Sequence, residues 1–311
     1  AELMKYVNTT LTKIAYGGIF DHVGGGFSRY AVDVKWHIPH FEKMLYDNGQ
    51  LVSLYADAFL ITKDELYKET VYNTLSFIER ELLDTNGGFY SSLDADSLDE
   101  TNELEEGAFY VWTKAELQTI LKKDFDLFSD YYNINAFGFW EKKNYHLIRS
   151  ISDTDFTKKH SLTLLQLQEK VTSWKEILLK ERSKKSRPRL DDKILTSWNA
   201  LMLRGYIDAY RVFNDNHFLT IALKNATFLE NNIMKDDGTL FHNFKNNKAT
   251  INGYLEDYAT LIDAYIALYE VTLDEKWLSL SKDLTATSFD HFYDTDSKMF
   301  FFTSNQDAEL I

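Results

Sequence analysis

The chain has 311 residues, of which 44% are hydrophobic and 15% aromatic, with only 2 prolines and 13 glycines. This composition supplies a sizeable core and excludes a disordered or fibrous protein. The formal net charge of −14 disfavours nucleic acid and anionic membranes as partners, because phosphate contacts need a basic face.

Cysteine is absent, which excludes disulfides, thiolate metal sites and a cysteine nucleophile in this chain. A reducing compartment fits this absence, and we predict a cytoplasmic protein. No long apolar run and no signal-peptide pattern occurs, so we predict no membrane partner. The sequence opens in a helical pattern with no initiator Met, from which we expect an excised piece of a longer protein.

Helical periodicity runs through nearly the whole sequence. Segments that are apolar on most faces predict helices buried on both sides, and they contain Leu51, Leu195 and Leu255. Segments with one apolar stripe and a charged back predict outer helices, and they contain Val71, Phe218 and Trp277. The helix pairs are punctuated by turns rich in glycine, aspartate and aromatic residues: GGGFSRY at 24, NGGFYSS at 86, DDGTLFHNF at 236 and DTDSKMFFFT at 294.

This recurrence of inner helix, outer helix and turn is a structural repeat. It predicts an all-α fold of the (α/α)6 toroid type, whose inner helices form the barrel and whose turns line one mouth. We count about nine or ten helical segments, fewer than six closed hairpins need, so the ring is predicted to be incomplete. We assign 1–311 to a single toroid domain with an irregular insertion around 133–193.

Four motifs, in order along the chain, carry a family resemblance: GGGFSRYAVDVKWHIPHFEKMLYDN at 24–48, GGFYSSLDADS at 87–97 with EEGAFYVWT at 105–113, RPRLDDKILTSWNALM at 187–202, and YLEDYATLIDAYIALYE at 254–270. They resemble the bacterial YyaL and spermatogenesis-associated protein family over almost the whole chain. The resemblance implies a toroid of the six-hairpin glycosidase and N-acylglucosamine epimerase type, preceded by a thioredoxin-like domain that we expect to be missing here, together with a further C-terminal stretch. It implies a fold more than an activity.

The first motif holds His22, His37 and His40 between two helical segments. His37 and His40 have an H-x-x-H spacing, but Pro39 disfavours a regular helix there, and we predict no metal. His40 lies just before an inner-type helix, so we predict that it faces the mouth as a general acid or base. A core histidine is the alternative interpretation.

Lys43 and Asp47 would be i, i+4 neighbours if this stretch were helical, and a plain salt bridge would explain them. Within a cavity, the same two residues and His40 would form an acid–base cluster, and both interpretations stay open. Asp96 in LDADS belongs to the most acidic patch; carboxylates across a sugar suit glycoside hydrolysis, and a solvated acidic loop is the alternative.

Asp192 precedes the helix with Trp198 and Asn199, where it would act as an N-cap or contact a ligand. Trp198 and Asn199 would offer a stacking face and an amide to a sugar, although most buried tryptophans are core residues. Glu256 and Asp257 begin another inner helix, whose positive N-terminus favours carboxylates. In a toroid they would point into the same mouth as Asp47.

The first functional hypothesis is a carbohydrate-active enzyme-like domain with an acid-lined cavity. It would be a hydrolase with paired acids drawn from Asp47, Asp96 and Asp257, or an epimerase or isomerase with His40 as base. No cofactor is predicted, and the ligand-binding residues would be Arg29, Trp36, His37, Lys43, Trp112, Asp192, Trp198, Asn199 and Glu256. The alternative is a non-catalytic binding or scaffold domain that works with the thioredoxin-like domain and a protein partner.

Overall fold

The structure is a computed structural model that describes residues 2–307. The α-helices of these residues are α1 (Glu2–Tyr16), α2 (Leu45–Thr62), α3 (Glu65–Glu81), α4 (Lys114–Leu121), α5 (Phe125–Tyr131), α6 (Asp153–His160), α7 (Leu164–Arg182), α8 (Thr196–Phe213), α9 (Asn216–Asn232), α10 (Leu255–Thr272) and α11 (Glu275–Phe292). None of the helices in this part of the chain has the length and apolar character that a membrane crossing requires.

The strands are short. They are β1 (Tyr30–Ala31), β2 (Pro39–His40), β3 (Lys43–Met44), β4 (Ser92–Leu93), β5 (Asp96–Leu98), β6 (Leu104–Glu106), β7 (Trp112–Thr113), β8 (Asn144–Tyr145), β9 (Leu190–Asp191), β10 (Ile194–Leu195), β11 (Phe241–Lys245), β12 (Lys248–Asn252), β13 (Tyr293–Asp294) and β14 (Met299–Phe300). The chain divides into two compact units. Unit 1 contains residues 2–44 and 93–189, and unit 2 contains residues 45–92 and 190–307.

Unit 2 consists of three helical hairpins, α2 with α3, α8 with α9, and α10 with α11. The inner helices pack on one another, because α8 contacts both α2 and α10. Each outer helix packs on its own inner helix. The predicted division into inner and outer helices is therefore confirmed for all six segments, and it follows from which faces of each helix are apolar.

Two glycines let the inner helices α2 and α8 approach closely. A Cβ at Gly205 would lie 2.8 Å from the backbone oxygen of Gly49, and a Cβ at Gly49 would lie 2.9 Å from the oxygen of Leu201. Both distances are shorter than a side chain tolerates, so any larger residue would push the two helices apart.

The connections inside the three hairpins repeat one local device. Each inner helix is followed by a residue in the left-handed conformation, at Lys63, Asn214 and Leu273. The next residue is an aspartate whose side chain caps the outer helix by accepting a backbone N–H two residues on. The three caps are Asp64, Asp215 and Asp274.

The predicted turn repeat is also present in the backbone. Each turn closes with an antiparallel bridge, Leu83 to Phe89, Met234 to Leu240 and Tyr293 to Phe300 in unit 2, and Phe20 to Phe27 in unit 1. The residue after each bridge donates its N–H back to the residue before it, as Tyr90 does to Leu82 and Phe241 to Ile233. The predicted mouth would include turns from both units, so the prediction that all these turns line one mouth stays a prediction.

Unit 1 combines α1 and α4–α7 with three antiparallel strand pairs, β1–β2, β5–β6 and β7–β8. Aromatic rings pack around Trp174 in its main core, and the ring centroid of Trp174 lies 5.4 Å from that of Phe128 and 6.1 Å from that of Tyr131. The predicted insertion holds α6 and α7, and the capping box Thr163 with Gln166 begins α7.

Candidate functional site

His40 is the centre of a charged cluster on the surface of unit 1. The short pairing of β2 with β1 sets Tyr30 opposite His40 and stacks the two rings with 5.2 Å between centroids. Nδ1 of His40 lies 2.7 Å from Oε1 of Glu106, and Nε2 lies 3.6 Å from Oε2 of Glu42. The imidazole is partly accessible, with 28% of its side chain exposed. The prediction of a titratable group reachable from solvent fits this position.

Both carboxylates beside His40 are held by other donors. Glu106, at the end of β6, also accepts the backbone N–H of Phe41 at 3.2 Å. Glu42 pairs with the guanidinium of Arg29 at 3.3 Å, and Arg29 donates its backbone N–H to the oxygen of Glu42 at 2.9 Å. The ring therefore lies between two carboxylates whose positions are fixed by neighbours other than the ring itself.

Lys43 occupies a different place from the one predicted. It lies on β3, outside α2, so it is not a helical neighbour of Asp47. Its side chain is 1% exposed and donates to Asp21 and to the backbone oxygen of Gly25, both at 2.8 Å. The prediction of a ligand-binding Lys43 is wrong for this arrangement, because the ammonium group is buried in an ion pair.

Asp21 also pairs with Arg182 at 2.7 Å, so one buried carboxylate meets two buried cations. Burial alone would raise the pKa of Asp21, but Arg182 and Lys43 together hold it well below 3.8. The guanidinium also lies over the ring of Tyr110, at 5.4 Å from its centroid. This triad fixes the glycine loop, where Gly25 and Gly26 adopt positive φ values of 76° and 78°.

Two buried histidines of unit 1, His22 and His146, support the loop from inside. His22 bonds to the backbone oxygens of Tyr16 and Gly17 through Nε2, and His146 bonds to Gly18. Burial lowers the pKa of His22 to about 3 and that of His146 to about 4. Both rings are therefore neutral in the folded protein, which is the core-histidine alternative for His22.

His37 and Trp36 lie beside this loop. His37 is half-buried and stacks near Phe137, with 6.4 Å between ring centroids, and burial lowers its pKa. Trp36 has a left-handed backbone (φ 60°), and its carbonyl accepts the N–H of Gly18 at 2.7 Å. A ligand role for either side chain stays a prediction, since both are partly accessible.

Two further predicted residues of unit 1, Trp112 and Asp96, differ in their exposure to solvent. Trp112 is 1% exposed and belongs to the core, with Lys185 over its ring at 4.3 Å, so its predicted ligand contact is wrong. Asp96 is exposed on β5 and faces Glu106 in the strand register, while Asp94 pairs with Arg189 at 3.2 Å. The solvated acidic loop therefore describes Asp96 in this structure, and its catalytic role stays a prediction.

In unit 2, Asp257 is fully buried and accepts three hydrogen bonds. Oδ1 accepts the N–H of Ser197 at 2.9 Å, and Oδ2 accepts the N–H of Tyr254 at 2.8 Å and Nδ1 of His242 at 2.9 Å. Direct contact with a substrate is excluded here by burial. Glu256, its neighbour in the sequence, is exposed.

Asn199 is not available to a ligand. Its amide is 0% exposed; it donates to the oxygens of Phe89 and Leu195 and accepts from the N–H of Phe89 and from Asn225. The predicted substrate contact is wrong because these four bonds tie the turn at Phe89 to the inner helix α8.

The remaining predicted residues of unit 2 are on or near helix starts. Asp192 pairs with Lys245 at 2.5 Å, which lowers its pKa; it does not cap α8, whose first residue is Thr196. Trp198 is half-buried and packs edge-on against Tyr46 at 4.7 Å. Asp47 lies in the first turn of α2, where a carboxylate favours the helix dipole.

Three functional candidates were not predicted from the sequence: Asp21, Arg182 and His242. His242 lies in the repeated turn segment DDGTLFHNF, four residues after Gly238, and a titratable residue in a repeated turn was the available signal. Among residues 2–307, His242, Glu256 and Asp257 form one group whose ligand atoms lie within 4.8 Å of one another, as a metal ion would need. Three hydrogen bonds already occupy most of the acceptor sites of Asp257, which disfavours an ion there.

No protein-family model matches the chain. Human spermatogenesis-associated protein 20 is 33% identical over 328 residues, which covers 94% of this chain and 41% of that protein. Nearly the whole chain is therefore similar to a part of this relative. Another relative, an uncharacterized protein of Caenorhabditis elegans, is 33% identical over 303 residues, 88% of this chain and 41% of that protein. The family resemblance predicted from the motifs is thus confirmed, and the chain spans about two fifths of the length of these relatives.

A solved structure of UGL with dGlcA-Glc-Rha-Glc superposes with a TM-score of 0.51 and covers 96% of this chain and 58% of that one, at 10% identity. At such low identity the similarity shows the fold alone. It confirms the predicted class, all-α of the six-hairpin toroid type.

Proposed function

We propose that this chain is a carbohydrate-active enzyme of the epimerase or isomerase type, with His40 as the group that moves the proton. The observation that carries the proposal is the position of His40 in unit 1, where Nδ1 bonds to Glu106 at 2.7 Å and Nε2 points toward Glu42. A partly accessible imidazole with a carboxylate on Nδ1 is the usual arrangement of a general base.

Glu106 sets the tautomer of His40. A carboxylate only accepts, so the proton of the neutral ring lies on Nδ1 and the lone pair lies on Nε2. The N–H of Phe41 holds the same oxygen of Glu106 at 3.2 Å, which keeps the carboxylate in place when the ring becomes charged. Glu106 is therefore a positioning residue, and Nε2 is the atom that takes the proton.

Nε2 of His40 lies 3.6 Å from Oε2 of Glu42. The 3.6 Å separation is too long for a direct hydrogen bond. In the open-chain form of a sugar, Nε2 would take a proton from the carbon beside the carbonyl, so that a C–H bond breaks and an N–H bond forms. The electron pair of the broken C–H bond moves onto the carbonyl oxygen as an enolate, and the new N–H of His40 exchanges with solvent. A solvent-derived proton added to the other face of the carbon gives the epimer, and no oxidant or reductant is needed.

The carbohydrate class rests on the fold and on exposed groups at the cluster. The ligand named with the UGL structure is an oligosaccharide, dGlcA-Glc-Rha-Glc. Tyr30 is 50% exposed beside His40, and an aromatic face suits the C–H face of a sugar ring. Arg29 adds donors for hydroxyl or carboxylate oxygens.

A non-catalytic scaffold is the second candidate, and a specific observation favours it. Several predicted site residues are engaged by protein groups, with Lys43 on Asp21, Asp192 on Lys245, and Asp257 on three donors. A hydrolase that pairs Asp257 with another acid is disfavoured for the same reason.

Proton exchange in D2O tests the proposal. Glucose, mannose, rhamnose and cellobiose are incubated with the purified chain in D2O, and carbon-bound deuterium is followed by NMR. We expect incorporation into at least one sugar, and a fall of about 10²- to 10⁴-fold in its rate in His40→Gln. His160→Gln is the matched control, because His160 pairs with Asp130 at 2.6 Å in the same unit, away from the cluster.

The outcomes separate the candidates. Cleavage of cellobiose without deuterium incorporation would replace the epimerase with a hydrolase. Neither reaction, with all four sugars, would leave the scaffold candidate in the lead. Equal losses in His40→Gln and His160→Gln would show a folding effect and contradict the assignment of His40.

A further inference from the structure

Unit 2 carries a second histidine–carboxylate pair, which the proposed role of His40 does not use. We infer that His242, positioned by Asp257, is the proton-transfer group of a sugar-binding site in unit 2, whose platform is the stacked rings of Tyr254 and Phe302. The inference rests on residues of unit 2 alone and stands whether or not His40 is catalytic.

Asp257 is anchored more firmly than a capping residue needs to be. Its oxygens accept the N–H of Ser197, near the start of α8, and the N–H of Tyr254, just before α10. Both helix N-termini carry partial positive charge, which stabilises a carboxylate between them. The third bond, from Nδ1 of His242 at 2.9 Å, is the one bond that helix capping leaves unexplained.

That bond orients the His242 ring. Because Asp257 accepts from Nδ1, the lone pair of the neutral ring lies on Nε2. Within residues 2–307, Nε2 has no hydrogen-bond partner, and 17% of the side chain is exposed. The hydrogen bond to Asp257 raises the pKa of His242 above 6.5.

Beside the ring runs an aromatic row. The ring of Tyr254 contacts His242 edge-on at 4.8 Å between centroids, and Phe302 stacks on Tyr254 at 4.8 Å with an interplanar angle of 13°. The carbonyl of Phe302 accepts the N–H of Leu255 at 3.0 Å, which fixes this row to the start of α10. Phe302 is 54% exposed, so a flat aromatic surface is presented to solvent beside an acid–base group.

This pairing of features fits a sugar ring better than a metal ion. The C–H face of a pyranose packs on an aromatic ring, while its hydroxyls need donors and acceptors such as Nε2 of His242 and the exposed carboxylate of Glu256. A cation bound to His242, Glu256 and Asp257 would have to compete with N–H donors already on Asp257.

The step open to this site is a proton transfer. Nε2 takes a proton from a hydroxyl of the bound sugar, the O–H bond breaks and an N–H bond forms, and Asp257 stabilises the imidazolium while remaining ionised. Nε2 then returns the proton to the alkoxide oxygen, so the N–H bond breaks, the O–H bond forms again, and charge and atoms balance. His242 would touch the ligand, and Asp257 is a positioning residue.

NMR of the histidine Cε1–H groups in the whole chain tests the inference. Glucose, mannose, rhamnose and cellobiose are each titrated to saturation, with the His242 signal assigned from His242→Gln. We expect one of them to shift the His242 signal and to bind about tenfold more weakly in Phe302→Ala. His217 is the matched control, since it pairs with Glu79 at 2.8 Å in the same unit and its aromatic neighbour, Phe218, is buried.

A second measurement checks the role of Asp257. In Asp257→Asn we expect the pKa of His242 to fall while the pKa of His217 stays unchanged. If this variant does not fold, titration of His242 in the unmodified chain still measures its pKa. A pKa at or below 6.5 in the unmodified chain would overturn the orientation of the ring by Asp257. The site is overturned if none of the four sugars moves the His242 signal, or if Phe302→Ala leaves the affinity unchanged. A shift caused by ZnCl2 but by no sugar would replace it with a cation site.

Discussion

The ammonium group of Lys43 lies 2.8 Å from the carboxylate of Asp21, and both side chains are buried in unit 1. Arg182 reaches the same carboxylate oxygen at 2.7 Å, so a single anion balances two cations. The contact between Lys43 and Asp21, which lie 22 residues apart in the chain, closes the glycine loop that leads to His40.

We predict that Asp21→Asn destabilises the protein by about 3–5 kcal/mol at neutral pH, because it leaves two buried cations without their anion. The folded-state pKa of Asp21 is below the unfolded value, so its contribution is complete above pH 3.8 and is lost as pH falls through the folded pKa. Urea unfolding from pH 7 to 3 measures both effects. The prediction would be contradicted if Asp21→Asn changed the free energy of unfolding by less than 1 kcal/mol at pH 7. It would also be contradicted if the variant lost as much stability below pH 4 as the unmodified chain does.

A second pH effect comes from the buried histidines. His22 and His146 have folded-state pKa values of about 3 and about 4, against 6.5 when exposed. The unfolded chain therefore binds more protons below pH 6.5, and the free energy of unfolding should fall from pH 6.5 toward pH 4. The two groups together give a slope of up to about 2.7 kcal/mol per pH unit.

The variant His146→Gln separates this effect from the general titration of carboxylates. It should reduce the slope between pH 6 and 4 by about half, since one of the two protons is no longer linked to unfolding. Unfolding by urea at several pH values checks it. An unchanged slope would mean that His146 is already protonated in the folded protein.

The amide of Asn199 is predicted to act on stability alone. Asn199→Ala removes four hydrogen bonds and leaves the backbone groups of Phe89 buried and unpaired, which we expect to cost about 2–4 kcal/mol. Sugar binding by the folded fraction should be unchanged. Calorimetry with a sugar that binds the unmodified chain decides the point, because weaker binding would restore the ligand role predicted from the sequence.

The packing of α2 on α8 gives a fourth prediction. A Cβ at Gly205 would approach the oxygen of Gly49 to 2.8 Å, so Gly205→Ala should lower stability by about 1–3 kcal/mol despite the better helix propensity of alanine. Thermal unfolding measures it. A stabilised variant would show that the two helices have room to separate.

The helices and turns of unit 2 could be predicted from the sequence because they depend on local patterns. Inner and outer helices differ in how many faces are apolar, and Asp64, Asp215 and Asp274 cap their helices from within the same segment. Such signals lie within a few residues of the structure that they specify.

The partners of the charged residues could not be predicted in the same way. Helical spacing offers Asp47, four residues on, as one partner for Lys43, yet a strand precedes α2 and Lys43 pairs with Asp21. His242 and Asp257 are likewise brought together by the hairpin β11–β12, and neither spacing nor composition predicts that contact.

The carboxylate that orients His40 could not be predicted from the sequence either. The position of His40 before an inner helix suggested accessibility, but the carboxylate that orients it, Glu106, lies 66 residues away. If Glu106 is a positioning residue, Glu106→Gln should lower kcat for proton exchange about tenfold with little change in KM, because the ligand does not touch it. A rise in KM alone would show instead that Glu106 binds the ligand.

Deuterium incorporation from D2O into a sugar, compared between the unmodified chain and His40→Gln, tests the central claim most directly. The proposed function predicts incorporation at carbon in the unmodified chain and its loss by at least about 10²-fold in the variant, with His160→Gln unaffected. Incorporation at the same rate in the unmodified chain and in His40→Gln would contradict the claim that His40 moves the proton.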